Sequence, residues 1–102
     1  TDLNPTQGRE QSGKRPVLII SGNLLNRYLD VVIVVPLTTQ IKRYKGNPIL
    51  EPNLQNQLKF TSEALVFHVR SISKDRLLEK IGEVQPEIVS EIKTTLADIL
   101  TL

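Results

Sequence analysis

At 102 residues the chain has room for one domain with one core, and 39% hydrophobic with 24% charged residues is ordinary for a folded, soluble protein, not a disordered or fibrous one. It holds no cysteine and a single histidine, His68, which excludes disulfides, zinc–thiolate sites and thiol nucleophiles and leaves only carboxylates for a metal. The formal net charge is +2, but residues 1–60 carry eight bases against four acids and residues 61–102 five against seven. A basic surface for a polyanion would therefore belong to the first half, although a solvated acidic helix face at the end and scattered lysines explain the same asymmetry without a ligand.

Residues 1–14 are rich in Gly, Pro, Gln, Asn and charge, lack apolar periodicity, and read as a long exposed loop ending at Arg15-Pro16. They cannot form a signal-peptide core, and no apolar run approaches the ~18–20 residues that span a bilayer, so a cytoplasmic protein is expected. Residues 17–20 (Val-Leu-Ile-Ile) and 31–35 (Val-Val-Ile-Val-Val) have strand length and β-branching and should be buried on both faces. Residues 22–30 between them are read as a connection with a weak helical signal through Leu24, Leu25 and Leu29. Pro36 should end the second strand, since it cannot donate to a ladder, leaving Leu37, Thr38, Thr39 and Gln40 at its exit. Residues 41–48 read as a mobile basic loop, and residues 49–51 can begin a third strand.

Period-two alternation over residues 64–72 predicts a strand with Leu65, Phe67 and Val69 on one face and Val66, His68 and Arg70 on the other. Ser73 is suited to cap a short helix carrying Leu77 and Ile81 and stopped at Gly82. A second helix follows from Pro86 and Glu87, with Ile88, Val89, Ile92, Leu96, Ile99 and Leu100 as a stripe that packs on a sheet. The expected architecture is α+β or mainly β, a small barrel covered by a terminal helix.

No serine sits in a Gly-x-Ser-x-Gly elbow, and the five glycines form no phosphate-cradling pattern. The acids do not cluster within one loop or strand, so metal-free, cofactor-free chemistry is expected. RNA cleavage suits such a chain, because the substrate supplies its own nucleophile, the 2′-hydroxyl beside the scissile phosphate. An arginine facing the developing phosphorane charge, with hydroxyls on a non-bridging oxygen, can lower that barrier electrostatically. Arg15, Thr38 and Thr39 are of the right types, but an arginine before a proline is more often a plain surface residue.

Residues 5–16, Pro-Thr-Gln-Gly-Arg-Glu-Gln-Ser-Gly-Lys-Arg-Pro, run into an apolar strand and resemble the P-T-x-G-x-E-Q-x-G-x-R-P signature of MazF/PemK toxins. Residues 35–40, Val-Pro-Leu-Thr-Thr-Gln, resemble that family's V-P-x-T-T-Q element. Val69-Arg70-Ser71-Ile72, followed by Arg76-Leu77 and Ile81-Gly82, is similar to its closing strand and short helix. The resemblance implies an SH3-like barrel with a short helix and a C-terminal helix, working as a homodimer. It implies a sequence-specific endoribonuclease that cuts single-stranded RNA (an mRNA interferase) without a metal, leaving 2′,3′-cyclic phosphate and 5′-hydroxyl ends.

Carried over by matched motif, Arg15 would be catalytic acid/base and phosphate stabiliser, Thr38 would bind the scissile phosphate, and Glu10 is a further catalytic candidate. Arginine is a poor base, so the division between Glu10 and Arg15 stays open. The flanking loops, residues 4–14 and 41–48, would read unpaired bases, with Gln11, Lys14, Thr39, Gln40, Lys42, Arg43 and Lys45 as RNA contacts. Tyr44 would either stack on a base or anchor its loop. The implied protein partner is a MazE-like antitoxin with an acidic, partly disordered tail.

Two departures accompany the resemblance. His68 stands where the family commonly has glutamine, adding a proton-transfer group or replacing the amide's hydrogen bonds. The G-x-I-x-x-x strand that the family places first does not precede Thr1 in the single domain over residues 1–102; either this sequence omits N-terminal residues or the molecule is truncated, and loss of a barrel strand would leave an open sheet edge. Competing readings are a CcdB-like non-enzymatic toxin that binds gyrase and a catalytically silent RNA-binding domain.

Overall fold

The computed structural model describes residues 6–10 and 15–101. Among the described residues seven strands form one antiparallel assembly: β1 (Thr6–Glu10), β2 (Pro16–Ile19), β3 (Val31–Thr38), β4 (Ile49–Leu50), β5 (Ser62–Ala64), β6 (Arg70–Ser73) and β7 (Leu77–Glu83). Two helices accompany them, α1 (Asn23–Tyr28) and α2 (Pro86–Leu100). The strand order is β4-β5-β3-β2-β1-β7, with β6 also paired to β3.

β3 organises the molecule. One edge pairs with β2 through Val17↔Pro36, Leu18↔Val35 and Ile19↔Val34. The other edge is shared, its first half by β6 (Val31↔Ser73 to Val34↔Arg70) and its end by β5 (Leu37↔Ala64, Thr38↔Glu63). Alternation sorts the apolar residues of β2 and β3 onto two faces, as expected of strands buried on both sides. Leu18, Ile20, Val35 and Leu37 join Leu50, Ala64, Val66 and the α2 residues Val89 and Ile92 in the main core. Val17, Ile19, Val32 and Val34 pack with Ile72 in a second cluster, against Leu77.

The terminal helix forms where the sequence places it. Proline occupies its first turn together with Glu87, and Val89 and Ile92 are buried, with Ile88, Leu96 and Ile99 packed beside them. Leu100 departs from the expected stripe, being 79% exposed.

Other expectations are corrected. Residues 6–10, read as loop, form β1, because a strand paired on both sides (β2 and β7) is held by its ladder and needs no apolar alternation. Pro36 lies inside β3 and does not end it. Its carbonyl accepts the Leu65 N–H at 2.9 Å, so its missing donor is directed at a segment where no strand pairs. The single strand predicted over residues 64–72 is split, because residues 65–69 lie opposite only Val35 and Pro36. The surplus coils into a 3-10 turn, Val66–His68, that buries Val66 and leaves Phe67 and His68 exposed.

The short helix predicted after Ser73 is a single 3-10 turn, Lys74–Arg76, and the chain continues as β7. Gly82 is therefore a strand residue and not a helix stop. A Cβ there would sit 2.6 Å from the carbonyl oxygens of Gln55 and Asn56, where the Glu83 N–H bonds Gln55 O. The connection at residues 22–30 contains α1, whose buried residue is Asn26, bonded to Ser21, while Leu24, Leu25 and Leu29 are exposed.

Candidate nucleic-acid site

Strand register brings the separated motifs together. Arg15 directly precedes β2, whose Pro16 pairs with Arg9, the neighbour of Glu10 in β1. Val17 of β2 pairs with Pro36, two residues before Thr38. The ends of β1, β2 and β3 that carry Glu10, Arg15 and Thr38 thus lie in one row, and β5 adds Glu63 opposite Thr38.

Beside this row an open cavity of about 270 Å³ is lined by Arg15, Pro16, Leu37, Thr38, Thr39, Gln40 and Ser62. The guanidinium of Arg15 is exposed and makes no ion pair with a described residue. Thr38 is half-buried, and its Oγ1 accepts the Gln40 N–H at 3.1 Å. That bond uses the hydroxyl as acceptor and leaves its proton to donate. A positive charge and an O–H able to donate at one opening suit an anionic oxygen.

Ser62 was not foreseen. It is buried, its Oγ donates to Phe60 O at 3.0 Å, and it reaches the cavity only because β5 pairs with the end of β3. No local signal marks it, since the pairing joins residues 25 and 27 apart in sequence (Thr38↔Glu63, Leu37↔Ala64).

The basic loop after Gln40, expected to be mobile, is tied down by a residue that sequence reasoning also missed. Glu63 is fully buried. Its Oε1 accepts the backbone N–H groups of Lys42 at 2.7 Å and Arg43 at 2.9 Å, and its Oε2 accepts Tyr44 N–H and Asn47 Nδ2, both at 3.0 Å. Three consecutive amides converge on one carboxylate because Arg43 adopts φ 58°, in the left-handed region. Burial would raise the carboxyl's pKa, but the Asn47 amide and the Arg43, Lys42 and Tyr44 N–H groups outweigh it and bring the value from the usual 4.5 down to about 2. At the loop's far end Thr95 Oγ1 of α2 donates to Gly46 O at 2.7 Å.

Of the other expected contacts, Thr39 and Gln40 line the cavity, whereas Lys42, Arg43, Tyr44 and Lys45 lie exposed on the anchored loop. Tyr44 is 55% exposed, with its backbone and not its ring holding the loop to Glu63. Lys45 borders a separate cavity with Phe67, Thr95, Asp98 and Ile99. His68, exposed at the end of its 3-10 turn, is absent from the lining of the Arg15–Thr38 cavity. Gln11 and Lys14 lie outside the described residues, and of Glu10 only the backbone is described. Among the described residues no group of three or more His, Asp or Glu is gathered as for a metal ion.

Endoribonuclease EndoA of Bacillus subtilis (strain 168) is 33% identical over 102 residues, covering 99% of this chain and 88% of the relative. A solved endoribonuclease in complex with its cognate antitoxin, from a mycobacterial species, superposes with a TM-score of 0.84 at 30% identity, over 100% of this chain and 97% of that one. The MazE-MazF structure from Deinococcus radiodurans shares the fold, with a TM-score of 0.80 at 22% identity over 96% and 94% of the two chains. The family of PemK-like, MazF-like toxins of type II toxin-antitoxin systems matches residues 1–100, and the chain belongs to that family.

Proposed function

We propose that this protein is a sequence-specific endoribonuclease toxin that cuts single-stranded RNA at the Arg15–Thr38 cavity. The observation that carries the reading is the meeting there of an exposed guanidinium and a half-buried hydroxyl with a free proton, in a chain of this family. The 2′-oxygen attacks the adjacent phosphorus and the bond to the 5′-oxygen breaks, giving a 2′,3′-cyclic phosphate and a 5′-hydroxyl. Arg15 neutralises the phosphorane charge and the Thr38 hydroxyl donates to a non-bridging oxygen. A guanidinium keeps its protons at neutral pH, so Glu10, one strand away from Arg15, is the candidate to take the 2′-hydroxyl proton. The protonated base or water then gives a proton to the departing 5′-oxygen.

The exposed Lys42, Arg43 and Lys45 meet phosphates along the strand, Tyr44 offers a ring for stacking, and Gln11, Lys14, Thr39 and Gln40 contact bases and backbone near the cut. A CcdB-like gyrase binder has no need of this constellation, and a relative named as an endoribonuclease at 33% identity favours cleavage. The proposed regulator is a MazE-like antitoxin whose acidic tail covers the basic loop, as a cognate antitoxin accompanies the mycobacterial relative. Pairing of two copies and a cytoplasmic place of action, where mRNA is reached, complete the proposal; no helix among the described residues is long and apolar enough to cross a membrane.

The test is cleavage of a long single-stranded RNA in EDTA by the purified protein, with mapping of the 5′-hydroxyl ends. Arg15→Ala should lower the rate at least about 10³-fold while the circular dichroism spectrum stays unchanged. Undiminished cutting by that variant would overturn the assignment.

A further inference from the structure

A buried carboxylate is an expensive way to fill a core position, because an apolar side chain of similar volume avoids the desolvation. Glu63 is fully enclosed, and only one of its four hydrogen bonds reaches the interior, through buried Asn47, whose Oδ1 accepts the Val66 N–H. Three of them end on the backbone of residues 42–44, whose side chains are exposed. The beneficiary is therefore the conformation of a surface segment. That segment leaves the cavity rim two residues after Gln40, and Glu63 itself is joined to the cavity by its pairing with Thr38 and by its neighbour Ser62. The anchor and the cavity thus share one rigid unit, β3 with β5.

We infer that Glu63 is a positioning residue for RNA recognition: it locks the backbone of residues 42–44 beside the Arg15–Thr38 cavity, and so fixes where Lys42, Arg43 and Tyr44 meet the nucleotides flanking the cut. This rests on the nuclease reading above. The left-handed Arg43 is the geometric key, since only that conformation turns its own N–H and those of its two neighbours to a common acceptor. Thr95, gripping Gly46 O, closes the other end of the loop, so the segment is held at both ends before any substrate arrives. Preorganisation of this kind reduces the ordering entropy of binding and restricts the poses an unpaired strand can take.

The experiment compares wild type, Glu63→Gln and Glu63→Asp on one long RNA in EDTA and on a short oligonucleotide carrying a wild-type cut motif. Glu63→Gln presents a single acceptor oxygen and turns an NH2 toward donors, so KM should rise about tenfold with kcat changed less than about threefold, and cuts should spread to motifs that wild type leaves intact. Glu63→Asp keeps the charge and should restore much of the wild-type cut pattern. A lower kcat with unchanged KM and unchanged cut pattern means lost folded protein only, and overturns the inference.

A second measurement is made on wild type alone and holds whether or not the variants fold. The amides of Lys42, Arg43 and Tyr44 should exchange slowly with solvent despite the exposure of the loop, and their resonances should shift on adding an oligonucleotide with 2′-deoxyribose at the scissile position. Fast exchange, or no shift in these three residues, overturns the positioning role. No cutting by wild type would instead overturn the nuclease reading, and the RNA role of Glu63 would fall with it.

Discussion

The Thr38 hydroxyl accepts the Gln40 N–H and keeps its proton available for the phosphate oxygen proposed above, and a single substitution removes both roles together. Thr38→Val keeps the β-branched shape at the end of β3 and removes the O–H; single-turnover cleavage should fall about 10²–10³-fold, the usual effect of deleting one charge-stabilising donor, with little change in melting temperature. Glu63 has the opposite profile, with an effect on stability that depends on pH. Its folded pKa of about 2 lies below the usual 4.5, so the stability it contributes is fully present above pH 4.5 and is lost as pH falls toward 2. Urea titrations of wild type should lose stability across that window, and Glu63→Gln should show a shallower loss over the same pH range. Parallel curves for the two proteins would refute this linkage.

At the level of elements, α2 stands on Ile92, which is completely buried in the main core between the sheet and the helix. Ile92→Ala should lower unfolding free energy by about 2–5 kcal/mol. Gly82→Ala should cost about 1–3 kcal/mol in the same assay, because its methyl group would press on two backbone carbonyl oxygens that cannot move independently. β2, β3 and α2 were legible in the sequence because their burial is written in apolar spacing. β1 and β7 were not, since they are polar or irregular segments whose strand character comes from pairing with each other and, for β1, with β2. The split of residues 64–72 depended on how many residues oppose Val35 and Pro36, which no local pattern contains. The same distinction governs the site. Arg15 and Thr38, which line one cavity, stood out through their motifs, whereas Ser62 and Glu63 did not, because one polar and one charged residue ahead of an apolar run carry no sign of the pairing with β3 that buries them.

At the scale of the molecule, exposed apolar side chains among the described residues crowd on and just after α1, where Leu24 is 74% and Tyr28 71% exposed, with Leu25, Leu29 and Val31 also open to solvent. Isolated apolar side chains on a surface need no explanation, but five within eight residues form a patch of the kind that marks an interaction surface. The helix is fixed from beneath, by Asn26 bonded to Ser21 and by Lys74 donating to Asn26 O, so its outward face is presented rigidly. A second copy of the chain is the proposed occupant, and the face contains none of the residues lining the Arg15–Thr38 cavity. The double variant Leu24→Glu/Tyr28→Glu places like charges on both sides of any two-fold contact through this helix. In sedimentation velocity wild type should run as a dimer and the double variant as a folded monomer with α2 helicity retained. A variant that remains dimeric would remove α1 from the contact and require the second copy to meet another face.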